Sequence, residues 1–244
     1  MSTYDWVNAL SNLGSYLRAA VLTLEISVLA FALANVLGLI AAAGRLSRLR
    51  VVRTVAGVYV EVIRNTPVLL QVFVAYFALP SVGLHLSSFT AGVVALGVNV
   101  GAYLAEVFRA GIRSVPAGQR EAAQVVALGR LQTFWHVVLP QAFRNVYPAF
   151  VNQFIQILLG SSLLSAISVP ELTGTATVIN SNTLLSVQVF TIALVIYLIL
   201  SNGISLLATL VGARVFRPAL PGGRHGTMWP LSVRLRRLVG VRAR

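Results

Sequence analysis

Few side chains in this sequence are of the types that carry out chemistry. Its 244 residues include six acidic residues, three histidines and no cysteine. The histidines, His85, His136 and His225, are too widely spaced to indicate a metal site, and the lack of cysteine excludes thiolate ligands and disulfides. There is no GxxxxGKS or GxxxxGKT phosphate-binding loop and no nucleophile–base pair. The sequence therefore predicts a protein that is not an enzyme and holds no metal.

Two charged residues lie close together within an apolar stretch. Glu61 and Arg64 are i,i+3 neighbours that could form an ion pair. Charges in such stretches either pair with each other or contact a ligand, and both interpretations remain open here. Thr66 before Pro67 is typical of a helix start, with proline at the first helical position. That break could be a simple bend or a substrate contact.

Further polar side chains follow later apolar stretches. Asn99, Tyr103 and Glu106 have the i, i+4, i+7 spacing of one helical face. Such groups serve either interhelical hydrogen bonds or substrate contacts, and the sequence leaves both open. The candidates for a substrate pathway are Glu61, Arg64, Thr66, Asn99, Tyr103, Glu106, Gln153, Gln156, Ser161 and Ser162.

The composition indicates where these residues are placed. Hydrophobic residues make up 57% of the chain and charged residues 10%, whereas a soluble domain has about 25% charged residues. This excludes a soluble enzyme. The net charge of +13 could suggest nucleic acid as a partner, but a nucleic-acid binder needs a broad water-exposed basic face that this chain lacks.

Five segments are long enough to cross a membrane, which requires about 20 mainly apolar residues. We therefore predict an all-α polytopic membrane protein with about five transmembrane helices. Small residues in the third segment, such as Gly97 and Gly101, favour close helix packing. The five segments are approximately residues 19–43, 55–79, 89–108, 146–169 and 184–212.

The positions of arginine predict the orientation. All of the basic residues are Arg, and 17 of the 19 fall in the first loop, the third loop and the tail, whereas the second and fourth loops carry none. Cytoplasmic loops are enriched in basic residues. The pattern predicts an N-terminus outside and a C-terminus inside.

The third loop, residues 109–144, is much longer than the others, and long loops in compact proteins are usually functional. Its periodicity predicts a helix over residues 119–128 that ends at Gly129. A second short segment over residues 131–139 should stop before Pro140. The pair could lie on the membrane as amphipathic helices, or it could dock a cytoplasmic partner.

The residues of this loop carry a family resemblance. Glu121-Ala122-Ala123, followed by Leu139-Pro140, resembles the EAA motif of binding-protein-dependent ABC importer permeases. The segments AYLAEVFRAGIRSVPAGQREAA, LPQAFRN, IRNTPVLLQ and VPELTGTA resemble the polar amino acid subfamily, which includes histidine-, glutamine-, glutamate- and arginine-type permeases. The resemblance extends to about Arg217.

The resemblance implies a type I ABC importer permease fold and transport of polar amino acids. In the family this loop inserts into a groove on the ATPase subunit. The family usually has Gly six residues after the Glu, whereas this chain has Ala127, so we expect the turn to shift towards Gly129. The docking residues implied by the resemblance are Gly118, Gln119, Arg120, Glu121, Ala122, Ala123, Ala127, Leu139 and Pro140.

The resemblance also implies the partners. These are a second permease subunit, identical or homologous, two ATP-binding subunits that carry ATP and Mg, an extracytoplasmic substrate-binding protein and membrane lipid. The expected location is the bacterial cytoplasmic (inner) membrane, with multiple passes. Residues 1–217 would form the permease domain and residues 218–244 a basic cytoplasmic tail. The alternatives are a self-sufficient secondary amino acid transporter or channel, and a membrane anchor that only scaffolds a partner.

Overall fold

The computed structural model describes residues 3–216, and within that range the chain is helical without any strand. The predicted tail, residues 218–244, lies outside the described residues. The helices are α1 (Thr3–Leu10), α2 (Leu13–Arg45), α3 (Arg50–Arg64), α4 (Val68–Phe73), α5 (Ser88–Arg113), α6 (Ala117–Val125), α7 (Arg130–Thr133), α8 (Leu139–Gly160), α9 (Leu172–Thr183) and α10 (Ser186–Val215).

Four helical segments are long and apolar enough to cross a membrane: α2, α5, α10 and the continuous segment Arg130–Ile167. A fifth span is formed by α3 and the segment Val68–Val82, which meet at an angle of 105°. Counted in this way, residues 3–216 contain the five predicted spans. The second predicted span is therefore sharply bent rather than straight.

The bend lies at Asn65, Thr66 and Pro67. Pro67 has extended backbone angles and precedes the first residue of α4, so it occupies the N-cap position instead of the predicted first helical position. Proline lacks the backbone N–H that continuation of α3 would require, and it disfavours helical angles at the residue before it. These two effects end α3 and reset the direction of the chain.

Among the described residues, helices α2 and α5 share the most extensive contact, and it is close, as the small residues of the third span predict. A Cβ on Gly97 would lie 2.7 Å from Leu33 Cδ2, and one on Gly101 would lie 3.0 Å from Leu37 Cβ. On the other helix, a Cβ on Gly38 would lie 2.8 Å from Leu104 Cβ. The missing side chains thus let the two backbones approach, which is how helices gain packing contacts inside a membrane.

The region between the last two spans contains a helix, α9, that was predicted as a loop. Glu171 caps it, because its carboxylate accepts hydrogen bonds from the backbone N–H groups of Thr173 (3.0 Å) and Gly174 (2.7 Å). Tyr197 Oη on α10 also donates to this carboxylate at 2.6 Å. Burial raises the pKa of the fully buried Glu171 carboxyl, and these hydrogen bonds act in the opposite direction.

The fourth span begins earlier than predicted, because the helix does not stop before Pro140. Helix α7 leads through a π-helical turn, Phe134–Val138, directly into α8, in which Pro140 occupies the first turn. A proline ring normally clashes with the carbonyl four residues earlier. Here that residue, His136, lies in the wider π-helical turn, so the helix passes through Pro140.

The close α2–α5 contact gives a test on the detergent-solubilised chain. We expect Gly38→Ala to lower the free energy of unfolding by about 1–3 kcal/mol, because the new methyl group overpacks Leu104. Gly203→Ala on α10 is the matched control: nothing lies within 4 Å of its Cβ position, and alanine is the better helix former. Gly38→Ala should melt at a lower temperature than Gly203→Ala. Equal melting temperatures would contradict the packing assignment.

Candidate functional site

The first part of the candidate site is the break between α3 and α4. Gln71 Nε2 donates to the Ile63 carbonyl oxygen (2.9 Å) and to Thr66 Oγ1 (2.7 Å), so it binds the last turn of α3 and the break itself. Asn99 Nδ2 on α5 donates to Gln71 Oε1 at 3.1 Å. The predicted pathway residues Thr66 and Asn99 therefore belong to one network, joined by a glutamine that was not among the candidates.

Arg64 and Glu61 do not form the ion pair that their spacing allowed. The Arg64 guanidinium carbon lies 5.1 Å from the centre of the Tyr103 ring on α5, and Tyr103 Oη donates to the Arg64 carbonyl oxygen at 3.5 Å. Glu61 instead accepts a 3.4 Å hydrogen bond from Asn65 Nδ2. The guanidinium is directed across to α5, where the ring face attracts a cation.

Glu106 connects three helices. It forms ion pairs with Arg109 on its own helix and with Arg45 at the end of α2, the latter at 3.3 Å. Arg45 also crosses α3, where its Nη1 lies 2.8 Å from the position of a Cβ on Gly57. The carboxylate is thus held by two cations. This arrangement favours a structural role for Glu106 over direct contact with a solute.

The polar residues predicted on the fourth span are placed elsewhere. Gln153 and Gln156 lie on α8 and make no hydrogen bond with the described residues. Ser161 and Ser162 lie in the 3-10 helix Ser161–Ile167, and each donates at 2.7 Å to the carbonyl oxygen three residues earlier. No hydrogen bond among residues 3–216 joins these four side chains to the network around the break. Their role in a pathway remains a prediction.

The second part of the site is α6 in the long loop, which exposes one face. Gly118, Glu121, Ala122 and Val125 are all exposed, and Val125 is 86% accessible. A Cβ on Gly118 would meet nothing within 4 Å. Helix α6 begins at Ala117, two residues earlier than predicted, so Glu121 lies beyond the first turn and gains little from the helix dipole.

The opposite face of α6 packs against the chain itself. Ala123 is 4% exposed, and α6 packs against the π-helical turn Phe134–Val138. Arg120 and Gln119, also predicted for docking, hydrogen-bond to α5 and α8, respectively. The helical period of 3.6 residues separates the two faces, so the alternation within the predicted docking set could be read from the sequence.

Helix α6 ends at Val125, with Val126 as its C-cap, and not at Gly129. Ala127 has a φ of 59°, and the N–H of Leu128 donates to the Ala123 carbonyl oxygen at 3.0 Å, which is the pattern of a Schellman motif. The expected shift of the turn towards Gly129 is therefore wrong. The turn stays six residues after Glu121, and alanine adopts the left-handed conformation that glycine adopts without strain.

Further apolar side chains are exposed in the chain segment that follows α6. Val126, Leu131 and Trp135 are 68%, 71% and 56% exposed, respectively. Leu139, predicted to close the docking element, is half-buried within the continuous helix, and Pro140 is exposed. A cluster of exposed apolar groups beside a carboxylate is typical of a protein interaction surface.

Comparison with known proteins agrees with this geometry. A family model described as "Binding-protein-dependent transport system inner membrane component" matches residues 34–217. The chain belongs to this family. It is therefore a multi-pass membrane component of an import system and not an enzyme by itself.

Individual relatives in this family cover most of the chain. The probable glutamine ABC transporter permease protein GlnM of Bacillus subtilis (strain 168) is 38% identical over 195 residues, which cover 80% of this chain and 90% of that protein. The L-cystine transport system permease protein TcyB of the same organism is 38% identical over 196 residues, which cover 80% of this chain and 84% of TcyB.

Solved structures share the fold of this permease. A crystal structure of an amino acid ABC transporter with histidines matches with a TM-score of 0.82 and 34% identity, and the match covers 88% of this chain and 100% of that chain. An inward-facing MetNI methionine ABC transporter matches with a TM-score of 0.65 at 18% identity, over 89% of this chain and 100% of that one. The first supports the family, and the second supports the fold alone.

Two residues that organise the site were not among the candidates. Gln71 is a polar residue four positions after Pro67 in an apolar segment, and this position could have identified it as a candidate from the sequence. Arg45 was interpreted only as an indicator of orientation. Its pairing with Glu106 depends on how closely α2 approaches α5, which the spacing of charges alone does not reveal.

The end of α6 gives a direct test of backbone strain. We expect Ala127→Gly to stabilise the chain by about 1 kcal/mol, because the left-handed conformation costs a side chain roughly that amount. Ala122→Gly, in the same helix at a regular position, should instead destabilise by about 0.5–1 kcal/mol. The measurement is thermal unfolding of both variants. A destabilising Ala127→Gly change would disprove backbone strain at Ala127.

Proposed function

We propose that this permease is a transmembrane subunit of an ATP-driven ABC importer for polar amino acids and that a separate ATPase docks on the loop containing Glu121-Ala122-Ala123. The observation that carries the proposal is the two-sided character of α6. One face is buried against the chain, while the other presents Glu121, Ala122 and Val125 to a partner. A helix lying on lipid headgroups would need basic residues on its polar face, and this exposed face has a carboxylate.

The substrate class rests on the relatives. By their names, GlnM is assigned to glutamine and TcyB to L-cystine. The structural neighbour with a TM-score of 0.82 is an amino acid ABC transporter. We infer that this permease also conducts a polar amino acid delivered by an extracytoplasmic binding protein. A second permease subunit, identical or homologous, would complete the pathway.

Coupling in the proposed assembly works through movement of the docking loops. Closure of two ATP-loaded ATPase subunits would displace α6, and α6 would transmit the displacement to the spans. The basic loops would then lie on the cytoplasmic side, with the N-terminus outside. ATP and Mg would bind to the ATPase subunits.

The alternative is a secondary transporter or channel that works without a partner. Such a protein needs a titratable or charged group that faces its pathway. Glu106 is occupied by Arg45 and Arg109, and the exposed face of α6 would have no function. Vesicles that contain the purified chain without ATP or partners separate the two proposals. Solute uptake by those vesicles would contradict the importer proposal.

Glu121 is the direct test of docking. In a complex reconstituted with its ATPase and binding protein, we expect Glu121→Ala to uncouple ATP hydrolysis from uptake and to leave the chain folded. The carboxylate is exposed and forms no hydrogen bond or ion pair with residues 3–216, so its removal breaks no polar interaction within the described chain. Its loss should cost the complex a charge-assisted hydrogen bond, worth about 1.5–3 kcal/mol. Normal uptake by this variant would count against the docking role.

The two neighbouring alanines provide a matched pair. Ala122 is exposed and Ala123 is 4% exposed. We expect Ala122→Leu to keep the melting temperature of the isolated permease and to weaken its assembly with the ATPase. Ala123→Leu should lower the free energy of unfolding by about 1–3 kcal/mol, because it overpacks a buried position on the inner side of α6. The measurements are thermal unfolding and co-purification, and the same effect from both changes would argue against a two-sided helix.

A further inference from the structure

Arg120 lies in the docking helix, but its side chain turns back to the membrane-spanning part of the chain. Its Nη2 donates to the carbonyl oxygen of Ile112 at 2.7 Å. Ile112 is in the last turn of α5, whose final carbonyls have no partner within the helix. A cation at this end of a helix is also favoured by the helix dipole. The guanidinium therefore caps α5 from a position on α6.

The connection that this hydrogen bond bridges is short. Only Ser114, Val115 and Pro116 separate α5 from α6. Asn145 on α8 donates to Ser114 Oγ at 2.9 Å, and Val115 is 3% exposed, so the connection itself is held in place. A rotation of α6 relative to α5 would have to break the side-chain contacts that join these two helices directly. Among residues 3–216, Arg120 is the α6 side chain that hydrogen-bonds to α5.

Helix α5 carries the polar residues that hold the break in the second span. Asn99 contacts Gln71, Tyr103 contacts Arg64, and Glu106 contacts Arg45. A displacement delivered to the end of α5 therefore reaches α2, α3 and α4 through direct side-chain contacts. The displacement is delivered only if α6 and α5 move together.

We infer that Arg120 is a positioning residue that couples the docking helix to α5, and that it does not contact the ATPase. The inference rests on the proposed importer function and reassigns one member of the predicted docking set. It requires that docking survive the loss of Arg120, because Gly118, Glu121, Ala122 and Val125 remain on the outer face. What is lost is the transmission of movement.

The test measures solute uptake and ATP hydrolysis in proteoliposomes that contain the complete complex with its binding protein. We expect Arg120→Gln to assemble with the ATPase and to hydrolyse ATP, while the uptake per ATP hydrolysed falls about tenfold, the effect of losing one charged hydrogen bond. Arg120→Lys keeps a cation that can reach the same carbonyl and should recover part of the ratio. Arg113→Gln is the matched control, since Arg113 is exposed at the end of α5 and has no partner among residues 3–216.

A distance measurement supplies a readout independent of activity. The chain has no cysteine, so spin labels can be attached to cysteines introduced at the exposed positions Ala110 on α5 and Val125 on α6. We expect the distribution of distances between the labels to broaden in Arg120→Gln and to stay narrow in Arg113→Gln. An unchanged distribution in Arg120→Gln would overturn the inference.

Other results would also overturn it. Loss of assembly with the ATPase in Arg120→Gln would mean that Arg120 docks directly. An unchanged ratio of uptake to hydrolysis, including an equal fall in both rates, would mean that Arg120 does not transmit movement. Failure of the proposed function looks different, because the unmodified chain would then not assemble with the ATPase at all.

Discussion

Every backbone polar group inside a bilayer needs a partner within the protein, and much of this structure follows from that constraint. The spans satisfy it by being helical, but the bend at residues 65–67 breaks the helical hydrogen-bond pattern. Gln71 and Thr66 compensate, since they bind the carbonyl oxygens of Ile63 and Val62 at 2.9 and 3.0 Å. Asn99 then fixes Gln71. The bend is therefore bound to α5 and cannot straighten or shift independently of it.

Helix α5 is able to serve this role because it lies so close to α2. With Gly97 and Gly101 against Leu33 and Leu37, the two helices have no room to slide past each other. The same proximity brings Arg45 within reach of Glu106. Small residues and charged residues on α5 thus act together. The small residues keep α2 and α5 close, and this short distance allows Glu106 to pair with Arg45. Both the bend and the docking loop are attached to this one rigid element.

The sequence predicted the parts of the molecule that depend on local pattern. Long apolar runs predicted the five spans, and Glu121-Ala122-Ala123 predicted the family. Prediction from the sequence was wrong where the three-dimensional arrangement decides which residues interact. The i,i+3 spacing of Glu61 and Arg64 allowed an ion pair, but the Arg64 guanidinium lies over the Tyr103 ring on another helix. Pro140 does not end its helix, because a π-helical turn precedes it. Glu171 caps helix α9, which was predicted as a loop because its sequence is rich in polar residues.

The two alanines of the motif illustrate how one short sequence can meet two separate constraints. Ala123 lies buried on the inner side of α6, where a larger residue would have to displace its neighbours. Nothing in residues 3–216 demands a small residue at the exposed Ala122, and in the proposed assembly a small residue there would let the ATPase surface approach α6 closely. Glu121 lies on that outer side as well. A docking helix must be bound firmly to its own chain and remain open to its partner, and a helix with two different faces satisfies both needs.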